Sequence, residues 1–131
     1  MFFFDRVKIQ PGQPLVFGAC KGKLVFGLPG NPGSTMMTFE LFARAAIERL
    51  SGVENPPLQI AFARLKVPYR HRPGLTRFLP AVLESATGEL TPVPWGGSSD
   101  IPALARANAF LVADENRESW DAGDLIQVLL K

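Results

Sequence analysis

Apolar and polar positions alternate at the start of the chain. Phe3, Val7 and Ile9 fall on one face and Arg6, Lys8 and Gln10 on the other, which predicts a strand with one wet face. "QPGQP" (Gln10 to Pro14) ends it, since two prolines and a glycine favour a turn or extended bend. "LVFGA" and "KLVFGL" predict two buried strands joined by a short hairpin at Lys21-Gly22. Met36, Phe39, Ala43, Ile47 and Leu50 then recur at spacings of three and four, the stripe of an amphipathic helix. Glu40, Arg44 and Glu48 form an i,i+4 charge ladder on another face, and Gly52 is placed to stop the helix.

"VENPP" (Val53 to Pro57) breaks the composition and sets a predicted domain boundary, with residues 1–52 before it and 53–131 from it onward. Beyond it the pattern turns to strands. "LQIAFARLKV" places Leu58, Ile60 and Phe62 on one side and then shifts phase to Leu65 and Val67, which predicts a bulge near Ala63 or Arg64. "RFLPAVLE", "ELTPVPW", "NAFLVAD" and "DLIQVLLK" are four further strands, with a tight turn at "ATGE" and one short helix in "SSDIPALARA". Pro80, Pro92 and Pro94 point to edges or bulges. Five short strands with such turns predict a small barrel or sandwich.

Composition narrows the chemistry. Hydrophobic residues make up 47% of the 131 positions and charged residues 20%, a globular balance rather than a disordered one. The net charge of +2 comes without a Lys/Arg run or an aromatic–basic repeat, which argues against nucleic acid as the partner. One cysteine excludes an intrachain disulfide framework, and one histidine excludes a zinc-type cluster. Cys20 closes an apolar run and reads as a buried thiol. "MFFFDR" is too short for a signal sequence or membrane span, so a cytoplasmic protein with no membrane partner is the default expectation.

The candidate chemistry lies in "GLPGNPGS". Asn31 is a good helix N-cap, Pro32 fits the first helical position, and Gly30 lets backbone approach a ligand. The helix start offers N–H groups and the positive dipole end, and Ser34 adds a hydroxyl. No Gly-Lys-Ser/Thr follows, so this is not a P-loop. A plain connector and an anion cradle both satisfy the local physics. Arg6 and Lys8, with Gln10 beyond them, offer a basic strand face or a solvated edge. "YRHRPG" (Tyr69 to Gly74) reads as a solvated hairpin loop, and Ser99 or Asp100 as a helix cap. Asp114, Glu115, Asp121 and Asp124 read as surface charges.

Taken in order, "FDRVKIQPGQPLVFG", "GLPGNPGS" with a helix, "GGSSDIPALARANAFLVAD" and "AGDLIQVLL" resemble the C-terminal part of the MoeA/gephyrin E-domain family, the molybdopterin molybdenumtransferases. The resemblance covers essentially the whole chain. It implies an α+β fold: the end of an α/β molybdopterin-binding domain (strands plus one long helix), followed by a small C-terminal β-barrel-like domain. It implies an enzyme that takes adenylylated molybdopterin and molybdate, cleaves the adenylate with help from Mg2+, and works as a homodimer. By position, Pro29, Asn31 and Pro32 match the family's loop, Arg6 a basic residue facing the pocket, and Ser99 a serine of the C-terminal domain facing the same cleft.

With Lys8, Gln10, Gly30 and Ser34 from the residues themselves, these make up the candidate substrate site; the catalytic acids are expected upstream. The chain departs from the family at Gln10, where Lys or Arg is usual before PGxP, and at Pro80 and Leu75, where arginines are usual. Family members are several-fold longer, so the expectation is a fragment of a molybdenum-inserting enzyme, inactive alone. The alternative is a non-catalytic module that uses its β domain to dock a protein partner.

Overall fold

The computed structural model describes residues 1–55 and 58–130. In it the opening alternation breaks into two strands, β1 (Phe2–Phe4) and β2 (Ile9–Gln10), which join different sheets. The reason is local. Val7 N–H donates to Gln13 O at 2.9 Å, so the chain after Asp5 folds back on its own turn instead of continuing along a neighbour. Arg6, Lys8 and Gln10 therefore share no strand face.

The hairpin is present as β3 (Val16–Cys20) and β4 (Lys23–Gly27), antiparallel from Val16↔Gly27 to Cys20↔Lys23. Lys21 and Gly22 both take positive φ, 50° and 74°, which suits the twist of a two-residue turn. With β1 these strands make a three-stranded sheet in the order β1-β3-β4. Its strands are less buried than the sequence predicts: Leu24 and Val25 are 46% and 47% exposed. Cys20 is exposed too, because it flanks the turn, and that overturns its reading as a buried thiol. Phe17 forms the centre of an aromatic cluster, 4.6 Å from Phe26 and 5.0 Å from Phe3 between ring centroids.

The long helix comes in three pieces: α1 (Pro32–Thr38), a π-helical turn at Phe39–Ala43, and α2 (Arg44–Leu50). The π turn inserts extra rotation, so the expected apolar stripe does not stay on one face. Ile47 and Leu50 are exposed, while Met37 and Thr38 carry the buried contacts. The charge ladder stands, with Arg44 2.7 Å from Glu40 and 3.1 Å from Glu48. Gly52, at φ 96°, ends the helix by donating to Arg49 O while Val53 N–H donates to Glu48 O, a Schellman closure. Of the predicted boundary, Pro56 and Pro57 lie outside the described residues.

The remaining elements are β5 (Ile60–Leu65), β6 (Tyr69–Arg70), β7 (Thr76–Glu84), β8 (Glu89–Pro92), α3 (Ile101–Arg106), β9 (Ala109–Ala113), β10 (Ser119–Trp120) and β11 (Leu125–Leu130). Five of them close a ring, β7-β8-β5-β11-β9 and back to β7, and these are the five strands the sequence predicts. Lys131, at the end of the last predicted strand, lies outside the described residues. So narrow a ring leaves little interior, and alanines fill much of it: Ala63, Ala81, Ala109 and Ala113 pack with Leu65, Leu90, Leu111 and Val128.

The expected bulge in β5 is absent. Its register with β11 is unbroken from Leu125↔Arg64 to Leu129↔Ile60, and Ala63 and Leu65 face inward while Phe62 faces out. The alanines concealed the true phase, since Ile60 and Phe62 outweigh them on any hydrophobicity count. Pro80 and Pro92 lie where the β7–β8 ladder runs out. Pro80 O still accepts from Val93 N–H, and toward β9 Pro80 stands opposite Phe110 inside a continuous ladder, so it is not an edge position.

"YRHRPG" is solvated only in part: Arg70, Arg72, Pro73 and Gly74 are exposed. Tyr69 and Arg70 pair with Trp120 and Ser119, and His71 is 92% buried beneath that ribbon. Its Nε2 faces Asp114 O at 3.0 Å and Arg117 O at 2.5 Å. Two carbonyls at one ring nitrogen place the proton there. The helix docks on the outside of the ring: Met37 packs with Phe78, Phe110, Val112, Leu104 and Leu129, with Ile9 and Trp95 at the margin. This docking brings the start of α1 against the loop ahead of α3.

Candidate functional site

Three loops meet at the start of α1. The first is the turn at 10–14, which contains a cis Gln10–Pro11 bond and Gly12 at φ 111°. A Cβ on Gly12 would lie 2.6 Å from Thr38 Cγ2, so the turn lies flat on the helix only because that residue is glycine. The second is the loop through Pro29 to Ser34. Thr35 fastens it from within the helix, donating its hydroxyl to Pro29 O and Asn31 O. The third runs from Trp95 to Asp100, with Gly97 at φ 111°.

The second and third loops are joined by backbone and side chain. Gly33 N–H donates to Ser98 O at 2.6 Å, and Asn31 Nδ2 donates to Ser98 Oγ at 3.1 Å. Asn31 starts the helix with an extended backbone, as an N-cap does, but its side chain makes no capping bond. It reaches across to Ser98 instead. Between the loops lies a pocket of about 320 Å³ lined by Ile9, Gln10, Gln13, Ser34, Trp95 and Ser98, with Pro11, Gly12, Pro14 and Gly97 completing the wall.

Asp100 sets the shape of the third loop. Its carboxylate accepts from Gly96 N–H at 2.9 Å and from Ala103 N–H at 3.1 Å, capping α3. The two backbone bonds, Gly96 first, hold its carboxyl below the usual aspartate range. A depressed carboxylate stabilises above its unfolded pKa and loses that contribution as pH falls through the folded one. The loop is therefore expected to keep its form at neutral pH and to loosen only below the ordinary aspartate value of 3.8. Amide shifts of Gly96 and Ala103 followed down to pH 2 measure this. Asp100→Asn is expected to remove the acid transition, and an unchanged transition in that variant would assign it to another group.

The structure gathers part of the predicted site and disperses the rest. Gln10 and Ser34 line the pocket; Asn31 and Pro32 do not, although Asn31 ties the helix start to Ser98 of its wall. Pro29 anchors Thr35, and Gly30 is open to solvent with nothing within 4 Å of where a Cβ would be. Arg6 lines an adjoining hollow that shares Gln13 and Pro14 with the pocket. Lys8 is paired with Glu115 at 2.6 Å. Ser99 is exposed and makes no part of the pocket wall; its neighbour Ser98 makes the junction. Gln13, Trp95 and Ser98 are the residues that sequence reasoning missed. "WGGSSD" signalled the last two through its glycines and hydroxyls, whereas nothing in the pattern singled out Gln13.

Among the described residues no group of three or more His, Cys, Asp or Glu is placed to hold a metal ion. No helix among them is long and apolar enough to cross a membrane.

A family profile described as the MoeA C-terminal region (domain IV) matches residues 63–131. The molybdopterin molybdenumtransferase of Bacillus subtilis (strain 168) is 33% identical over 97% of this chain, which spans 30% of that protein. The enzyme of the same name from Staphylococcus aureus (strain Mu50) is 30% identical over 97% of the chain and 31% of its own length. The crystal structure of a molybdopterin biosynthesis MoeA protein from Pyrococcus horikoshii superposes with TM-score 0.81 at 32% identity, covering 98% of this chain and 32% of that one. A molybdenum cofactor biosynthesis protein from Pyrococcus furiosus gives TM-score 0.81 at 25% identity, over 99% and 45%. The chain thus spans less than half the length of the proteins named here, and about a third of the two molybdenumtransferases.

Proposed function

This chain belongs to the MoeA family, which it matches through the family's C-terminal region, and from that premise we propose that it supplies one wall of a molybdopterin pocket in a molybdenum-inserting enzyme. Residues 1–52 act as the pterin-side unit and 53–131 as the barrel that closes over it. The observation that carries this reading is the junction of Gly33 and Asn31 with Ser98, which makes one pocket out of loops from both units. On this reading the adenylate-cleaving acids and the Mg2+ they hold are not in this stretch, and the chain alone does not turn over adenylylated molybdopterin. The working assembly is a cytoplasmic homodimer in which further chain completes the cleft.

The test is a titration of molybdopterin against the chain and against Asn31→Ala. The variant loses the side-chain tie to Ser98, and a severalfold loss of affinity is expected, in line with about 1 kcal/mol for one hydrogen bond. Equal binding by the variant would remove the pocket from the reading. Full turnover of the adenylate by the chain alone would overturn the claim that it is incomplete.

A further inference from the structure

Lys8 precedes the pocket wall at Gln10 and forms no part of that wall itself. Its ammonium lies 2.6 Å from the Glu115 carboxylate. Among the described residues this is the only ion pair that joins residues 1–52 to the later part of the chain. Backbone bonds close a circuit around it. Thr76 N–H donates to Lys8 O at 3.2 Å and Gly74 N–H to Glu115 O at 3.0 Å, so the entry to β7 grips both partners.

The Glu115 end of the pair is anchored independently of Lys8. Its loop is held by His71, whose Nε2 meets Asp114 O and Arg117 O, and from within by Asn116 N–H on Asp114 Oδ1 at 2.7 Å. An acid on a pinned backbone loses less freedom in pairing than one on a loose loop. The Lys8 end has the opposite character. β2 is two residues long, and its parallel pairing runs only from Ile9↔Thr76 to Gln10↔Arg77. So short a strand does not by itself fix the direction of the 10–14 turn that leaves it. Gly12 lies against Thr38 within the turn, and Val7 N–H on Gln13 O closes its base. Lys8 adds a clamp where the chain enters.

The turn so held delivers Ile9, Gln10 and Gln13 to the pocket. We propose that Lys8 and Glu115 are positioning residues for this pocket: the pair sets where Gln10 and Gln13 stand, and neither touches what binds there. The proposal rests on the reading of the pocket as a ligand site and holds for any occupant. It separates Lys8 from the other two cations beside the turn. Arg6 stands on the adjoining hollow and Arg77 in register with Gln10, and neither makes an ion pair among the described residues.

The experiment compares the parent chain with Lys8→Gln, Glu115→Gln, the double variant and the charge swap Lys8→Glu/Glu115→Lys. Three quantities are measured: molybdopterin affinity, the side-chain amide resonances of Gln10 and Gln13 without ligand, and the urea midpoint. Each single variant is expected to lose about two- to fivefold in affinity, the scale of an exposed ion pair. Both are expected to move the Gln10 and Gln13 amides, with little change in the urea midpoint. The double variant is expected to be no weaker than either single one, and the swap to recover most of the loss. A lysine that touches the ligand gives a different pattern: Lys8→Gln alone weakens binding, Glu115→Gln does not, and the swap restores nothing. That pattern would overturn the proposal, as would single variants whose Gln10 and Gln13 amides match the parent's. A parent chain that fails to bind molybdopterin would sink the pocket reading instead. The ligand-free amides would then decide the proposal: moved by both single variants and restored by the swap, it stands, and otherwise it falls.

Discussion

Gly33→Ala is expected to abolish measurable ligand binding at the pocket, a loss of at least tenfold. A Cβ on Gly33 would lie 2.9 Å from Ser98 O and 3.0 Å from Ser98 Cα, below the approach that real side chains show. Both clashing atoms are backbone, so no rotamer change relieves them. The loops must separate, and separation breaks the 2.6 Å bond between Gly33 N–H and Ser98 O. Gly33 is buried, and orphaning its amide costs about 1–3 kcal/mol. Urea unfolding measures that cost, and titration with molybdopterin measures the binding. A Gly33→Ala protein that binds like the parent would show that the pocket does not depend on the docked loops.

His71→Ala is expected to be among the most destabilising single changes in the barrel half, by about 2–4 kcal/mol. The ring fills the space under the β6–β10 ribbon, with Trp120 5.5 Å and Tyr69 6.2 Å away between centroids. Its removal leaves a cavity there and releases Asp114 O and Arg117 O, the two carbonyls that hold the 114–117 loop to the ring. His71→Gln, which keeps an N–H at similar reach, is expected to recover part of the loss. Urea unfolding followed by tryptophan emission reports both variants. A change under about 0.5 kcal/mol in His71→Ala would mean that the ribbon is held by its own strand pairing alone.

The strands of the barrel were legible because each is short, apolar and bounded by a turn with its own chemistry, as at Gly88 in "ATGE" and Asp100 before α3. Phase was less legible than existence. In β5 the inward face is built from alanines, which a narrow ring needs and which a hydrophobicity pattern ranks below Ile60 and Phe62. The helix misled in a different way: a π turn keeps the composition of a helix and changes its angular bookkeeping, so Ile47 and Leu50 point outward.

The ribbon of β6 and β10 was invisible because two-residue strands carry no period. His71 was read as solvated because its charged neighbours Arg70 and Arg72 are. At the site, "GLPGNPGS" was found by its punctuation, but its partner could not be. Nothing local to Asn31 indicates that its amide crosses to Ser98, a contact made by docking and not by capping. The family resemblance pointed to Ser99, whereas the contact between the two loops is made by its neighbour Ser98.

The Asn31–Ser98 contact joins positions 67 apart in the chain, and the two loops hold each other through few bonds. Closing a segment of that length costs on the order of 4 kcal/mol in chain entropy, recovered only once the ring and the helix are both in place. The junction is thus expected to be the last contact to form and the first to let go. The Gly33 amide is expected to exchange with solvent through undocking of the loops while the ring stays folded, and an occupant of the pocket to slow that exchange without altering the ring's own protection, which hydrogen exchange with and without molybdopterin measures. Binding at this pocket would then be registered as a change in the lifetime of a seam.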